Sequence, residues 1–312
     1  MKRLSFGVVA VLLFALPLVV HCSNGGGGQD GGTDATTDAT TDAQSDAQPD
    51  AADAAADVAP DAPACGPNDP CADDASTCCN SFCTNLKKDP KNCGACGTAC
   101  GAQQFCNGQA CFDAIVANLC HNPSAAVVLD GLPPDDEAGV AVGSAVDGGC
   151  VPTVVVRQIA QGSAGSIDDA GRPLLGPGDT YIAGGGGFGQ NAVSYLSSTF
   201  EAPVYVTGTN TTISFMKSAD KSLIVEAQNA NLTAHHDYFV AYTAVEPVSG
   251  TLVFNVYGFY APGTAAGAYW FQTQVAPSFG TFTKAFYVYE WTDTDNDGAP
   301  SAGDTFTLVS SG

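Results

Sequence analysis

Asp179-Thr-Tyr-Ile-Ala-Gly-Gly-Gly-Gly-Phe-Gly-Gln-Asn-Ala-Val-Ser-Tyr-Leu-Ser-Ser198 is the stretch that decides the fold. Asp179 to Ala183 reads as a strand, Gly184 to Gly187 as a tight turn, and about Phe188 to Ser198 as a helix. The same alternation runs outward on both sides. Upstream, Ala125–Leu129 is a short strand, Asp135–Val146 a helix introduced by Pro133-Pro134, and Val151–Ile159 a β-branched strand. Downstream, strand-like runs cover Ala202–Val206, Thr211–Met216, Ser222–Ala227, Tyr238–Val245 and Thr251–Tyr257. Thr264–Val275 comes next as a helix, and Ala285–Trp291 and Thr305–Val309 close the chain as strands. Strands alternating with helices, with extra hairpins between, predict an α/β fold over residues 112–312: a mixed sheet covered by helices.

The chain of 312 residues suits one medium domain plus accessory segments, and its N-terminal third is built quite differently. Ten cysteines crowd residues 65–111: Cys65, Cys71, Cys78, Cys79, Cys83, Cys93, Cys96, Cys100, Cys106 and Cys111. So short a segment, poor in large apolar residues, needs covalent staples, and disulfides persist only in oxidising compartments. Cys93-x-x-Cys96 has the spacing of half a zinc site or of a redox pair. The histidine partner of the first and the strand–helix setting of the second are missing, which favours structural disulfides. The connectivity is open at this level. Cys120 and Cys150 remain to bridge the first strand–helix unit of the main domain. The run Asp89 to Cys100, then Cys106-Asn-Gly-Gln-Ala-Cys111, resembles the stigma-specific Stig1-like cysteine-rich module. Cys78-Cys79-Asn80-Ser81-Phe82-Cys83 is similar to the other half of that repeat. The resemblance implies a small disulfide fold in an extracellular setting.

Residues 23–64 contain almost no large apolar side chain. Aspartate recurs at Asp30, Asp34, Asp38, Asp42, Asp46 and Asp50, then at Asp53, Asp57 and Asp61. Like charges at i, i+4 oppose a helix, and the segment cannot bury enough apolar surface to order itself. A disordered tether spanning on the order of 35 Å is expected. Residues 1–22 carry a basic start, Lys2-Arg3, and an apolar run from Leu4 to Val20 that is short for a membrane span. Leu18-Val-Val-His-Cys22 resembles the lipobox of bacterial lipoproteins, with His21 in the place of a small residue. That resemblance implies lipidation of Cys22, export, and a lipid anchor in the outer membrane or at the cell surface.

Formal net charge is -22, from 10 Lys and Arg against 32 Asp and Glu. Phosphate contacts need basic clusters, so nucleic acid is not an expected partner.

The sharpest site motif is Asp293-Thr-Asp295-Asn-Asp297-Gly298-Ala299-Pro-Ser301-Ala-Gly-Asp304. It fits a twelve-position calcium loop: carboxylates at positions 1, 3 and 5, glycine at 6, a carbonyl from Ala299 at 7, Ser301 at 9 and Asp304 at 12. The flanks read as strands, so a calcium-clamped hairpin is expected, with a structural role for the ion. Three other clusters invite chemistry. Gly184 to Gly189 matches a dinucleotide fingerprint formally, but Val204-Tyr205-Val206 stands where the acidic partner belongs, so no nucleotide cofactor is expected. His235-His236-Asp237 could furnish half of a triad for a secreted hydrolase using a nearby serine. Yet adjacent strand residues face opposite ways and no G-x-S-x-G elbow exists. Tyr287, Tyr289 and Trp291 could form a sugar-stacking platform or a covered sheet face. Finally, Thr180 to Gln190 and Val256 to Ala266 resemble elements of surface-layer (S-layer) protein outer domains. No catalytic residue is assigned; a structural, adhesive or binding role in the envelope, toward an envelope component or extracellular polymer, is the leading expectation.

Overall fold

The computed structural model describes Cys65, Cys71, residues 76–187 and residues 189–312. The expected signal, Cys22 and tether lie outside the described residues, as does Phe188.

The cysteine-rich segment forms two small hairpins, β1 (Thr77–Cys79) with β2 (Phe82–Thr84) and β3 (Gln104–Asn107) with β4 (Ala110–Asp113). Five bridges staple them: Cys65–Cys78, Cys71–Cys83, Cys79–Cys96, Cys93–Cys106 and Cys100–Cys111. Cys93 and Cys96 bond to different partners, so the C-x-x-C spacing is neither a redox pair nor half of a metal site. The module is no free-standing spacer. Phe105 is buried in the same cluster as Val116, Leu119 and Trp270 of the main domain, and the Gln103 side-chain carbonyl accepts from Val245 N–H at 3.0 Å.

In the main domain, β5 (Ser124–Leu129), α1 (Pro133–Gly149), β6 (Val155–Ala160), β7 (Asp179–Gly184) and α2 (Asn191–Ser198) realise the alternation read from the sequence. The chain continues through β8 (Val204–Gly208), β9 (Thr212–Lys217), β10 (Leu223–Gln228), β11 (His236–Val245) and β12 (Leu252–Gly258). It ends with α3 (Ala261–Trp270), β13 (Phe286–Thr292) and β14 (Thr305–Ser311). Seven strands form one mixed sheet in the order β14-β13-β11-β12-β7-β5-β6. β12, β7, β5 and β6 run parallel, and β11, β13 and β14 extend the sheet antiparallel.

Boundaries differ from expectation where proline and glycine act. α1 starts at Pro133, where a missing N–H costs a helix nothing. α3 starts three residues early for the same reason, with Pro262 in its first turn, and beyond Trp270 it widens into a π turn over Phe271–Val275. α2 starts only at Asn191, because the glycine-rich turn runs longer than its four-glycine core. β6 starts at Val155 rather than Val151, which is 93% exposed.

Both faces of the sheet are covered, as the alternation predicts. One face of the sheet is covered by α1 and α3, whose Val142, Val146, Ala266 and Trp270 pack on Val127, Ile182 and Phe254. The other face is covered by α2 together with β8, β9 and β10, which form a separate three-stranded antiparallel sheet. Helices alone therefore do not cover the sheet. Cys120 is bonded to Cys150, tying the short helical turn Val116–His121 to the end of α1.

Candidate metal centre

The loop Asp293–Asp304 joins β13 to β14 at the sheet edge. Its path is dictated by side chains that satisfy its own backbone. Asp293 Oδ1 accepts from Asn296 N–H at 2.7 Å and Oδ2 from Gly298 N–H at 2.8 Å. Asp295 accepts from Asp297 N–H, and Asp297 from Ala299 N–H. Asn296 and Gly298 adopt left-handed backbone, φ 60° and 79°, which asparagine and glycine tolerate best. The result is a tight coil that turns ligand oxygens of Asp293, Asp295 and Asp297 inward, all within 4.8 Å of one another. Ser301 Oγ donates to Asp295 Oδ2 at 3.4 Å.

Two neighbours tie this coil to the fold. His235 Nδ1 lies 2.6 Å from Asp293 Oδ2; together with the Gly298 and Asn296 N–H donors it holds the Asp293 carboxyl well below the usual carboxylate range. The Asp297 N–H stabilises the Asp295 carboxylate, but lost solvation and the charges of Asp293 and Asp297 outweigh it and raise that group. Asp304 departs from the expected geometry. Its Oδ2 accepts from the buried Trp291 indole N–H at 3.2 Å and from Ser301 N–H at 2.8 Å, and its Oδ1 from Thr294 N–H. Asp304 thus closes the loop by hydrogen bonding and is not one of the three clustered carboxylates. Aspartate is one carbon shorter than the bidentate glutamate usual at position 12. Positions 1, 3 and 5 fit a hard divalent cation, while position 12 would have to give up internal bonds to reach it.

His236 turns away from His235, its Nε2 2.8 Å from Glu290 Oε1 and its Nδ1 3.2 Å from the Asn231 carbonyl. Among the described residues no serine hydroxyl lies within hydrogen-bond reach of either ring. The third member of that tripeptide has a role the sequence did not suggest. Asp237 is fully buried; Oδ2 accepts from Tyr260 and Gly263 N–H at 3.0 and 2.9 Å, capping α3, and Oδ1 accepts from Tyr238 N–H. Burial pushes its carboxyl up to about 6 against the pull of these three donors. Gly263 is required there, since a Cβ would sit 2.6 Å from Asp237 Oδ2. A helix capped from a distant strand leaves no local sequence signal.

The aromatic run on β13 is no platform: Tyr287 and Trp291 are buried against Trp270 and Phe306 in the α1–α3 layer. The glycine run after β7 serves close packing. Gly185 has φ 95°, and a Cβ there would overlap the Asp135 carboxylate of α1.

Residues 37–121 match the family described as the Stigma-specific STIG1-like protein family. The match takes in the disulfide-rich module and reaches back into the aspartate-rich segment. No curated protein and no solved structure matches the chain.

Proposed function

We propose that this is an exported, lipid-anchored surface protein with a structural or adhesive role. In this reading Cys22 carries the lipid, residues 23–64 give reach, and the stapled module and α/β domain together form the displayed head. The partner is an envelope component or extracellular polymer. The observation that supports export best is the pairing of all twelve described cysteines into six disulfides, which requires an oxidising compartment. Mass spectrometry of the protein from membranes tests the anchor: an acylated N-terminal Cys22 is expected, and a soluble species starting downstream refutes it.

Asp293, Asp295, Asp297, the Ala299 carbonyl and Ser301 are proposed to hold one calcium ion, with Asp304 completing the set after releasing its internal donors. Calcium would cancel carboxylate repulsion and fix the β13–β14 edge. With a dissociation constant of about 1 mM, typical of extracellular modules, 10 mM calcium stabilises the fold by about 1.4 kcal/mol. Melting should rise by roughly 3–6 °C relative to chelator, and Trp291 emission should change as Asp304 lets go of its indole. Identical melting curves and spectra with and without calcium would remove the ion from this account.

A further inference from the structure

Two cavities meet beside the carboxyl ends of the parallel strands. One, of about 180 Å³, is bounded by Asp135, Gly186, Tyr260 and Thr264. The other, of about 390 Å³, lies between α2 and β8 and is bounded by Ser194, Ser197, Phe200 and Tyr205. Gly187 and Val206 line both, so the two adjoin. The position is one where open α/β sheets gather ligands: α1 leaves β5 toward one face, and α2 leaves the adjacent β7 toward the other.

Besides apolar Val206, Ile213 and Phe259, the groove offers three kinds of side chain for contact, and Lys221 Nζ stands 4.8 Å over the ring of Phe200. Phe200 is 45% exposed and stands edge to face with Tyr205, ring centroids 5.3 Å apart. It comes just after α2 in left-handed backbone, φ 60°, a position where glycine would spare the cost. Ser194 and Ser197, one turn apart on α2, set hydroxyls along the same wall. At the far end, Asp135 is half-buried, and among the described residues no hydrogen-bond donor stabilises its carboxylate; desolvation and the neighbouring Asp130 and Asp136 raise it to about 6. Gly185 lies directly against that carboxylate, where any side chain would collide with it.

Aromatic surface beside hydroxyls and one free carboxylate suits a ligand with C–H faces and many hydroxyl groups. An anionic polymer is opposed by Asp135 and by the chain's charge of -22. A bare metal ion would find one carboxylate there rather than a cage. We propose that this groove binds a short stretch of neutral polysaccharide, with Phe200 and Tyr205 packing on sugar rings and Asp135 accepting from ring hydroxyls.

The proposal deepens the reading of a surface binding protein and rests on it, but has its own readout. Calorimetric titration of the full-length protein with cellohexaose, chitohexaose and maltohexaose should show at least one binding more tightly than about 1 mM. Phe200→Ala and Asp135→Asn should each weaken that sugar about tenfold. Phe82→Ala, an exposed aromatic on the module, should leave it unchanged. Asp135→Asn keeps the side chain's shape and removes a repelled charge, so a melting temperature at or above wild type shows that lost binding is not lost folding. No binding of any of the three at 5 mM, or wild-type affinity in both groove variants, overturns the proposal. Neither result bears on Cys22 acylation or on calcium-dependent melting, which are measured separately.

Discussion

Replacing Cys120 and Cys150 together by alanine should cost the main domain about 3.6 kcal/mol. The bridge closes a loop with a sequence separation of 30 residues. Releasing it returns loop-closure entropy of about 12 cal/mol/K to the unfolded chain, hence the figure at 25 °C. The loss of native packing adds little, because alanine fills most of the space of a half-cystine and only Cys150 is fully buried. For a domain of this size, roughly 2–4 °C is lost per kcal/mol, so the melting midpoint should fall by about 7–14 °C. Guanidinium titration separates this mechanism from simple loss of contacts. An unfolded chain freed of its cross-link exposes more surface, so the m-value should rise as the midpoint falls. The other five bridges must stay oxidised, which a free-thiol assay on the purified variant verifies. A midpoint lowered by less than about 2 °C with an unchanged m-value refutes the reasoning. The bridge would then be holding together parts that packing already holds.

The site and its surroundings carry three further expected outcomes. Asp237→Ala strips the cap from α3 and leaves the buried Gly263 N–H and the partly buried N–H groups of Tyr238 and Tyr260 without this acceptor; a loss of about 2–3 kcal/mol in chemical denaturation is expected, and a loss under 0.5 would contradict the capping role. Gly263→Ala drives a methyl against Asp237 and the Tyr238 carbonyl, so it should destabilise by about 1–3 kcal/mol; wild-type stability would mean that α3 can slide. Asp135 has a folded-state carboxyl at about 6, above its ordinary 3.8. Folding therefore takes up a proton between these values, and the contribution present below pH 3.8 is lost as pH rises through 6. Asp135→Asn should gain about 1–2 kcal/mol over wild type at pH 7, after discounting for solvent screening of a half-exposed group. The gain should vanish below pH 4; a difference independent of pH would exclude burial of the carboxylate and its repulsion by Asp130 and Asp136 as the origin.

Much of the chain was legible because its signals are local. The strand Asp179–Ala183, the glycine turn and the helix after it are written within 20 residues, and proline marks the starts of α1 and α3. The acidic loop was equally plain, since alternating aspartates and Gly298 dictate a coil through bonds spanning only two to five residues. The features that escaped are set by tertiary partners. Nothing in Val204–Gln228 says that its strands pair with each other rather than join the main sheet. Asp304 carries the residue type of a ligand, yet Trp291, brought alongside by strand pairing, claims one of its oxygens. His235-His236-Asp237 allowed half a triad in sequence without requiring one; the partners of His235 and Asp237, Asp293 and the start of α3, are 58 and 23 to 26 residues away.

The five bridges of the module overlap end to end. The first spans 65–78, the next 71–83, then 79–96, 93–106 and 100–111, so each begins before its predecessor closes. A protease that cuts the backbone once anywhere between Cys65 and Cys111 therefore leaves the two pieces covalently joined. The bridge from Cys120 to Cys150 gives the next stretch the same protection. Only residues 112–119 lie between these tied regions uncrossed; there Ala114, Val116 and Leu119 are packed into the core while Asp113 is exposed. A single nick within 65–111 or within 120–150 therefore leaves the module and the sheet and helices C-terminal to it covalently joined, and the exposed end of β4 at Asp113 is where one cut can part them.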